Sequence, residues 1–147
     1  MKTIFDQKTK RELIDRINLL SEDSAASWGK MDAYQMIKHC NLSEEMFQGK
    51  KVYKRLFIGK LFGKSALKGI LKNEEPMKKN QPTHADFKIK GKGDFEGERK
   101  KWIILLSDYS TFSNQNFVHP FFGKMTRDDI GKYVYKHTDH HLRQFGV

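Results

Sequence analysis

The chain has 147 residues, of which 37% are hydrophobic and 12% aromatic, and a formal net charge of +10. This composition excludes a disordered chain and can supply one hydrophobic core, so we expect residues 1–147 to form a single domain. The positive charge favours nucleic acid, anionic lipid or an acidic partner. No base-stacking or groove-reading motif accompanies it, so nucleic acid is not the expected partner.

Targeting signals and cysteine content indicate the compartment. No window offers the roughly 18 successive apolar residues of a transmembrane segment. The N-terminus, Met1 to Asp6, becomes charged before the apolar core of a signal peptide could form. Cys40 is the single cysteine, which fits a reducing environment. We therefore expect a cytoplasmic protein.

The N-terminal third of the chain predicts two helices. Apolar residues recur at helical spacing from about Asp6 to Leu20, where a polar break follows. A second helix is expected from about Ala33 to Gly49, with Asp32 as its N-cap. His39 lies on the apolar stripe of this helix, where a single histidine is usually a hydrogen-bonded core residue.

A basic amphipathic segment follows, from about Lys54 to Leu71. Its lysines recur every four residues: Lys60, Lys64, Lys68 and Lys72. Three glycines lower its helix propensity, so the helix is expected to be short or broken. Such a segment either lies on an anionic membrane or forms the solvated face of a bundle helix, and we favour the solvated face.

Two irregular connections are expected in the second half of the chain. Residues Asn73 to Gly97 are rich in proline, glycine and lysine, and we expect them to cross one end of the fold. A helix should then run from about residues 94–98 to Ser113. The second connection, Asn114 to Met125, contains His119, which is expected either to hydrogen-bond within the loop or to approach a metal site.

The last helix carries two histidines on one face. Thr126 and Asp129 predict its N-terminal capping box, and its apolar pattern continues to about Gln144. His137 and His141 are four residues apart, the spacing with which a helix places two imidazoles on one metal ion. Alternatively, the histidines cap the polar end of the helix.

Together the amphipathic helices predict an all-α fold, a four-helix bundle with long crossover connections. In bundles of this kind, metal sites are built inside from side chains on facing helices. His39 would then be the natural third ligand beside the pair on the last helix.

Several motifs in this chain resemble the DinB-like (YfiT-like) superfamily of metal-dependent hydrolases. They are Trp28-Gly29-Lys30-Met31, Gln35-Met36-Ile37-Lys38-His39, His119-Pro120-Phe121-Phe122-Gly123 and Lys136-His137-Thr138-Asp139-His140-His141-Leu142-Arg143-Gln144-Phe145-Gly146. The C-terminal motifs are similar to a branch of the superfamily known only as a domain of unknown function.

The resemblance implies a DinB-like four-helix bundle, often dimeric, with a divalent metal on His39, His137 and His141. Relatives include thiol transferases that use a low-molecular-weight thiol, so the expected partners are a small-molecule substrate and a second copy of the chain. Many relatives carry Arg-Gly-Gln after the last histidine, whereas this chain carries Leu142-Arg143-Gln144. The contacts to substrate near that point need not follow the family.

Three neutral imidazoles leave open positions on Zn²⁺ or Ni²⁺, the expected metals. The metal would activate a water for hydrolysis or a thiol for transfer. No glutamate follows His137, because position 138 is threonine, and Asp139 faces another side of the helix. His119 and His140 are therefore the remaining candidates for proton transfer. The alternatives are a histidine cluster without metal, or a non-enzymatic basic module that binds nucleic acid or anionic surfaces.

Overall fold

The computed structural model describes residues 1–114 and 116–147, and the fold is mainly α-helical. The described residues form five α-helices: α1 Gln7–Asn18, α2 Ala33–Phe47, α3 Phe57–Ile70, α4 Phe95–Ser107 and α5 Arg127–Gln144. Short 3₁₀ turns cover Ala85–Phe87 and Asp108–Thr111. Two antiparallel strands, β1 Val118–His119 and β2 Gly123–Lys124, form a small hairpin between α4 and α5.

Capping side chains set the starts of four of these helices, all except α3. The Asp32 carboxylate accepts from the backbone of Gln35, and Thr126 and Asp129 form a reciprocal capping box. Both caps were predicted and are confirmed. The hairpin was not predicted, because strands of two residues leave no period-two pattern in the sequence. The expectation of an all-α fold therefore holds for the main part of the fold.

Four of the helices pack together around the core. Helix α4 contacts α1 and α2, and helix α5 contacts the same two helices. Their fully buried side chains include Ile17, Met36, Trp102 and Val134. This arrangement brings α2 and α5, which carry the histidines, into direct contact.

Helix α3 lies outside this group, against the hairpin. The segment that follows it is fastened back to α5, since the Lys136 ammonium donates to the carbonyls of Ile70 and Asn73 at 2.7 and 2.9 Å. Farther along, Phe87 is buried in the core. None of the helices among the described residues has the length and apolar character needed to cross a bilayer.

Candidate metal centre

Three histidines meet at the contact between α2 and α5. His39 comes from α2, and His137 and His141 come from successive turns of α5. One ring nitrogen of each lies within 4.8 Å of the others, and all three residues are buried. The ring centroids are 4.7 to 5.2 Å apart. The three residues predicted as metal ligands are thus brought together.

Hydrogen bonds fix which nitrogen two of these rings turn inward. The Nδ1 of His39 lies 3.1 Å from the carbonyl oxygen of Phe87, and the Nδ1 of His141 lies 2.9 Å from Oε1 of Gln144. Both oxygens can only accept, so each Nδ1 carries the proton and each Nε2 presents a lone pair. The orientation of the Gln144 amide is set by its Nε2, which donates to the carbonyl of Trp28 at 2.7 Å.

The third ring completes a donor set that fits a divalent metal. The Nε2 of His137 lies 3.2 Å from the Nε2 of His39. Two imidazole nitrogens bound to a tetrahedral Zn²⁺ at about 2.0–2.1 Å are about 3.3 Å apart. Within the described residues, the buried Nδ1 of His137 has no hydrogen-bond partner. The site therefore has nitrogen atoms that converge as metal ligands do, and one ring nitrogen without a hydrogen-bond partner.

The electrostatic environment keeps the three rings neutral. Burial, the largest cause, lowers the pKa of His39, and it lowers the pKa of His137 and His141 far below the ordinary value. The neighbouring histidines lower each pKa further, because a second positive charge nearby is unfavourable. Neutral imidazole is the form that binds a metal ion.

Aromatic side chains surround the cluster. The Tyr133 ring stacks on His137 at 5.7 Å with an interplanar angle of 13°, and the Phe87 ring meets His39 edge-on. Phe87 belongs to the irregular segment between α3 and α4, so this segment covers His39. The covering side chains leave each of the three histidines only 6–8% exposed.

The two candidates for proton transfer, His140 and His119, lie beside the aromatic side chains and histidines of this cluster. The His140 ring is 5.2 Å from that of His141 and contacts the Trp28 ring at 5.7 Å. His119 lies in the hairpin, where its Nδ1 accepts from the backbone N–H groups of Phe121 and Phe122. Burial lowers the pKa of His119 to about 3, so this ring is neutral and shapes the turn. Catalytic roles for either residue stay predictions.

Two other polar residues lie between His137 and His141 in the sequence of α5. Asp139 forms ion pairs with Arg16 and Arg143, both at 2.7 Å. It therefore joins the last helix to α1, and it faces another side of that helix than His137, as expected. The Thr138 hydroxyl is buried and has no hydrogen-bond partner among the described residues.

Sequence reasoning missed the groups that orient the ligands. Gln144 is three residues after His141 on the same helix, a spacing that allows the contact and could have suggested it. No sequence signal marks the Phe87 carbonyl, because every residue has one and only the tertiary fold places it beside His39.

Comparison with known families places the chain in one of them. The family model described as Protein of unknown function (DUF1569) matches residues 4–146. The chain belongs to this family. No curated protein and no solved structure matches it. The expected membership of a family known only as a domain of unknown function is thus confirmed, whereas membership of the DinB-like superfamily stays a prediction. DUF1569 brings no reaction with it, so the function has to be argued from the site.

Proposed function

We propose that this DUF1569 protein is a metal-dependent enzyme of the DinB-like kind. In this proposal α1, α2, α4 and α5 form the four-helix bundle, and His39, His137 and His141 hold a divalent metal, Zn²⁺ or Ni²⁺. The observation that carries the proposal is the convergence of three buried, neutral imidazoles within 4.8 Å. Imidazole donors suit both metals.

The bound ion supplies Lewis-acid chemistry, which lowers the pKa of a water or a thiol that reaches it. The surrounding residues position the ligands. The Phe87 carbonyl and the Gln144 amide hold the Nδ1 protons of His39 and His141, so both Nε2 atoms face the centre. Such outer hydrogen bonds fix ring orientation and raise ligand basicity.

The reaction class follows from what accompanies the histidines. No carboxylate takes part in the cluster among the described residues, since Asp139 is bound to two arginines. A hydrolase would therefore use His140 or His119 to move the proton. A thiol transferase depends less on such a proton-accepting residue, because the thiolate of a low-molecular-weight thiol is itself the nucleophile. We propose these two reactions on a small-molecule substrate, the thiol transfer first.

Metal content tests the proposal directly. The untagged protein is purified without chelator and analysed by elemental mass spectrometry beside His137→Ala. We expect about one Zn or Ni per chain in the wild type and loss of the metal in the variant, because two ligands do not complete a site. His39→Ala and His141→Ala should behave in the same way.

His84→Asn is the matched control. His84 lies outside the cluster, and its side chain accepts from the backbone N–H of Asp86, a role that asparagine can fill. This variant should keep its metal. Retention of stoichiometric metal in all three ligand variants, or no metal in the wild type after Zn²⁺ and Ni²⁺ are offered, would overturn the proposal in favour of a structural histidine cluster.

A further inference from the structure

An exposed apolar surface lies on α3 and the turn before it. Four large side chains of the first half of the helix are more than half exposed: Phe57, Ile58, Leu61 and Phe62. Val52, in the preceding turn, is 91% exposed. We call these five residues the α3 patch. Contiguous exposed apolar side chains of this size mark interaction sites in soluble proteins.

The packing of α3 fixes this face outward. Its inner face is made of Gly59, Gly63 and Leu67, which are buried at successive turns. A Cβ atom on either glycine would overlap the backbone of Phe121, so the helix approaches the hairpin through its glycines. Arg55 fastens the start of the helix by donating to three consecutive carbonyls, those of residues 119–121, at 2.7 to 2.9 Å. The large side chains are therefore held away from the core.

The charge of the molecule is concentrated on the same segment. Between Glu45 and Glu74 the chain has eight lysines and arginines and no acidic residue. The rest of the chain has 20 lysines and arginines against 18 aspartates and glutamates, so this segment accounts for most of the +10 charge. Four of its exposed lysines make no ion pair or side-chain hydrogen bond to any described residue: Lys54, Lys60, Lys68 and Lys72.

We propose that the α3 patch docks on the surface of an anionic lipid bilayer. In this arrangement α3 lies in the plane of the interface. The apolar side chains enter the boundary between head groups and acyl chains, and the lysines meet the anionic head groups. Helix α3 has 14 residues and does not span the bilayer.

Charge argues against a second copy as the occupant of this surface. A two-fold interface places the same patch of both chains face to face, which would bring two basic segments within a few ångströms. The aliphatic side chains argue against nucleic acid. Val52, Ile58 and Leu61 have no π-face on which bases stack, whereas a lipid interface takes up aliphatic and aromatic side chains alike.

Vesicle sedimentation tests the proposal with the full-length protein. One vesicle sample contains equal parts of phosphatidylcholine and phosphatidylglycerol, and the other contains phosphatidylcholine alone. We expect the protein to bind the anionic vesicles, to bind the neutral vesicles far more weakly, and to lose affinity as salt is raised.

Two variants separate the charge from the apolar contact. The triple variant Lys54→Gln, Lys60→Gln, Lys68→Gln should bind about 100-fold more weakly, at about fivefold per lysine. The double variant Phe57→Gln, Leu61→Gln should bind roughly tenfold or more weakly at high salt, where only the apolar contact remains. All five side chains are exposed, so the fold should be unaffected.

Matched variants elsewhere on the surface serve as controls. The triple variant Lys8→Gln, Lys92→Gln, Lys100→Gln removes the same charge. The double variant Leu19→Gln, Ile104→Gln removes exposed apolar side chains from the residue that follows α1 and from α4. The apolar control should bind like the wild type, and the charge control should weaken binding far less than the α3 variant does. His137→Ala should also bind like the wild type, because the docking surface is separate from the histidine cluster.

Three results would overturn the proposal. One is equal binding to both kinds of vesicle. Another is equal weakening by the α3 variants and their matched controls. The third is an absence of vesicle binding. In that case a dimer that the double variant dissociates would assign the patch to a second copy, and binding of duplex DNA or RNA through the lysines alone would assign it to nucleic acid.

Discussion

Gln144 makes three hydrogen bonds beyond those of the helix backbone, one to His141 and two to the loop before α2. Its Oε1 accepts from His141, its Nε2 donates to the carbonyl of Trp28, and its own carbonyl accepts from the backbone of Ser27 at 2.7 Å. The loop before α2 is thereby tied to the end of α5. Because the same amide sets the protonated nitrogen of His141, the position of the loop and the state of the ligand are coupled.

Replacement of Gln144 should weaken metal binding without removing a ligand. In Gln144→Leu no acceptor holds the Nδ1 proton of His141, so the ring loses its fixed tautomer and orientation. We expect metal affinity to fall by about 10- to 100-fold, the usual effect of losing an outer hydrogen bond of this kind. Competition with a chromophoric chelator measures the affinity.

Gln144→Glu is the matched variant. A carboxylate still accepts from the Nδ1 of His141, but it cannot donate to the Trp28 carbonyl. It should therefore keep metal affinity close to that of the wild type or raise it, while loosening the loop before α2. An equal loss of affinity in both variants would show that Gln144 acts on the loop and not on the histidine.

At the scale of the elements, the glycines of α3 lower its intrinsic helix propensity but allow its close packing against the hairpin. Its glycines predict a short or broken helix, yet the structure shows 14 continuous helical residues. The reason is tertiary. Gly59 and Gly63 allow the helix axis to approach the backbone of Phe121, where any larger residue would overlap. The third glycine, Gly69, has open space around it and plays no such part.

This difference predicts opposite effects for the same substitution at two positions of one helix. Gly63→Ala should lower the free energy of unfolding by about 1–3 kcal/mol, because the added methyl group forces α3 away from the hairpin. Gly69→Ala should raise it by about 0.5–1 kcal/mol, because alanine favours the helix and meets no neighbour. Urea unfolding of both variants measures the difference. Stabilisation by both would mean that α3 is not packed through its glycines.

The sequence predicted the helices where local chemistry decides them. The N-caps Asp32 and Thr126 and the apolar periodicity identified every helix, with ends displaced by a few residues. Local patterns could not show that α3 turns its large apolar side chains outward. Both faces of that helix contain apolar residues, and only the hairpin selects the inner one.

The site, like the helices, was predicted where local sequence patterns decide the structure. His137 and His141 share a helical face through local spacing alone, and the expected bundle, together with the resemblance, added His39 from the facing helix α2. The structure confirms that the three meet. A bound metal and the reaction stay predictions, and so do the single domain, the dimer and the compartment.

At the scale of the whole molecule, the core contains a buried acid that is not part of the histidine cluster. Glu44 is fully buried on α2, and its Oε2 accepts from the Tyr109 hydroxyl at 2.5 Å. Its other oxygen has no hydrogen-bond partner among the described residues. Burial raises the pKa of Glu44 to about 8 from 4.5, although the hydrogen bond from Tyr109 opposes the shift. The folded protein therefore holds this carboxyl group protonated at neutral pH.

A raised pKa makes the folded state less stable at higher pH. Between pH 4.5 and about 8 the folded chain keeps a proton that the unfolded chain has lost. The stabilisation is fully present below pH 4.5 and decreases by up to about 1.4 kcal/mol for each pH unit until pH passes the folded pKa. Buried histidines with lowered pKa contribute below about pH 6.5, and the Cys40 thiol, whose pKa burial raises, contributes only as pH approaches its ordinary value of 9.0. The range from about pH 7 to 8 therefore isolates Glu44.

Glu44→Gln should flatten this dependence. The amide oxygen still accepts from Tyr109, but the side chain no longer titrates. The free energy of unfolding, measured in urea at closely spaced pH values from neutral to mildly alkaline at matched metal content, should fall by about 1 kcal/mol in the wild type and stay level in the variant. The two proteins are compared by the slope of the free energy of unfolding against pH. The absolute values are not compared, because the unpaired amide group shifts the variant's stability equally at every pH. Parallel curves for the two proteins would show that Glu44 is already ionised in the folded core, with the Tyr109 hydroxyl alone compensating its charge.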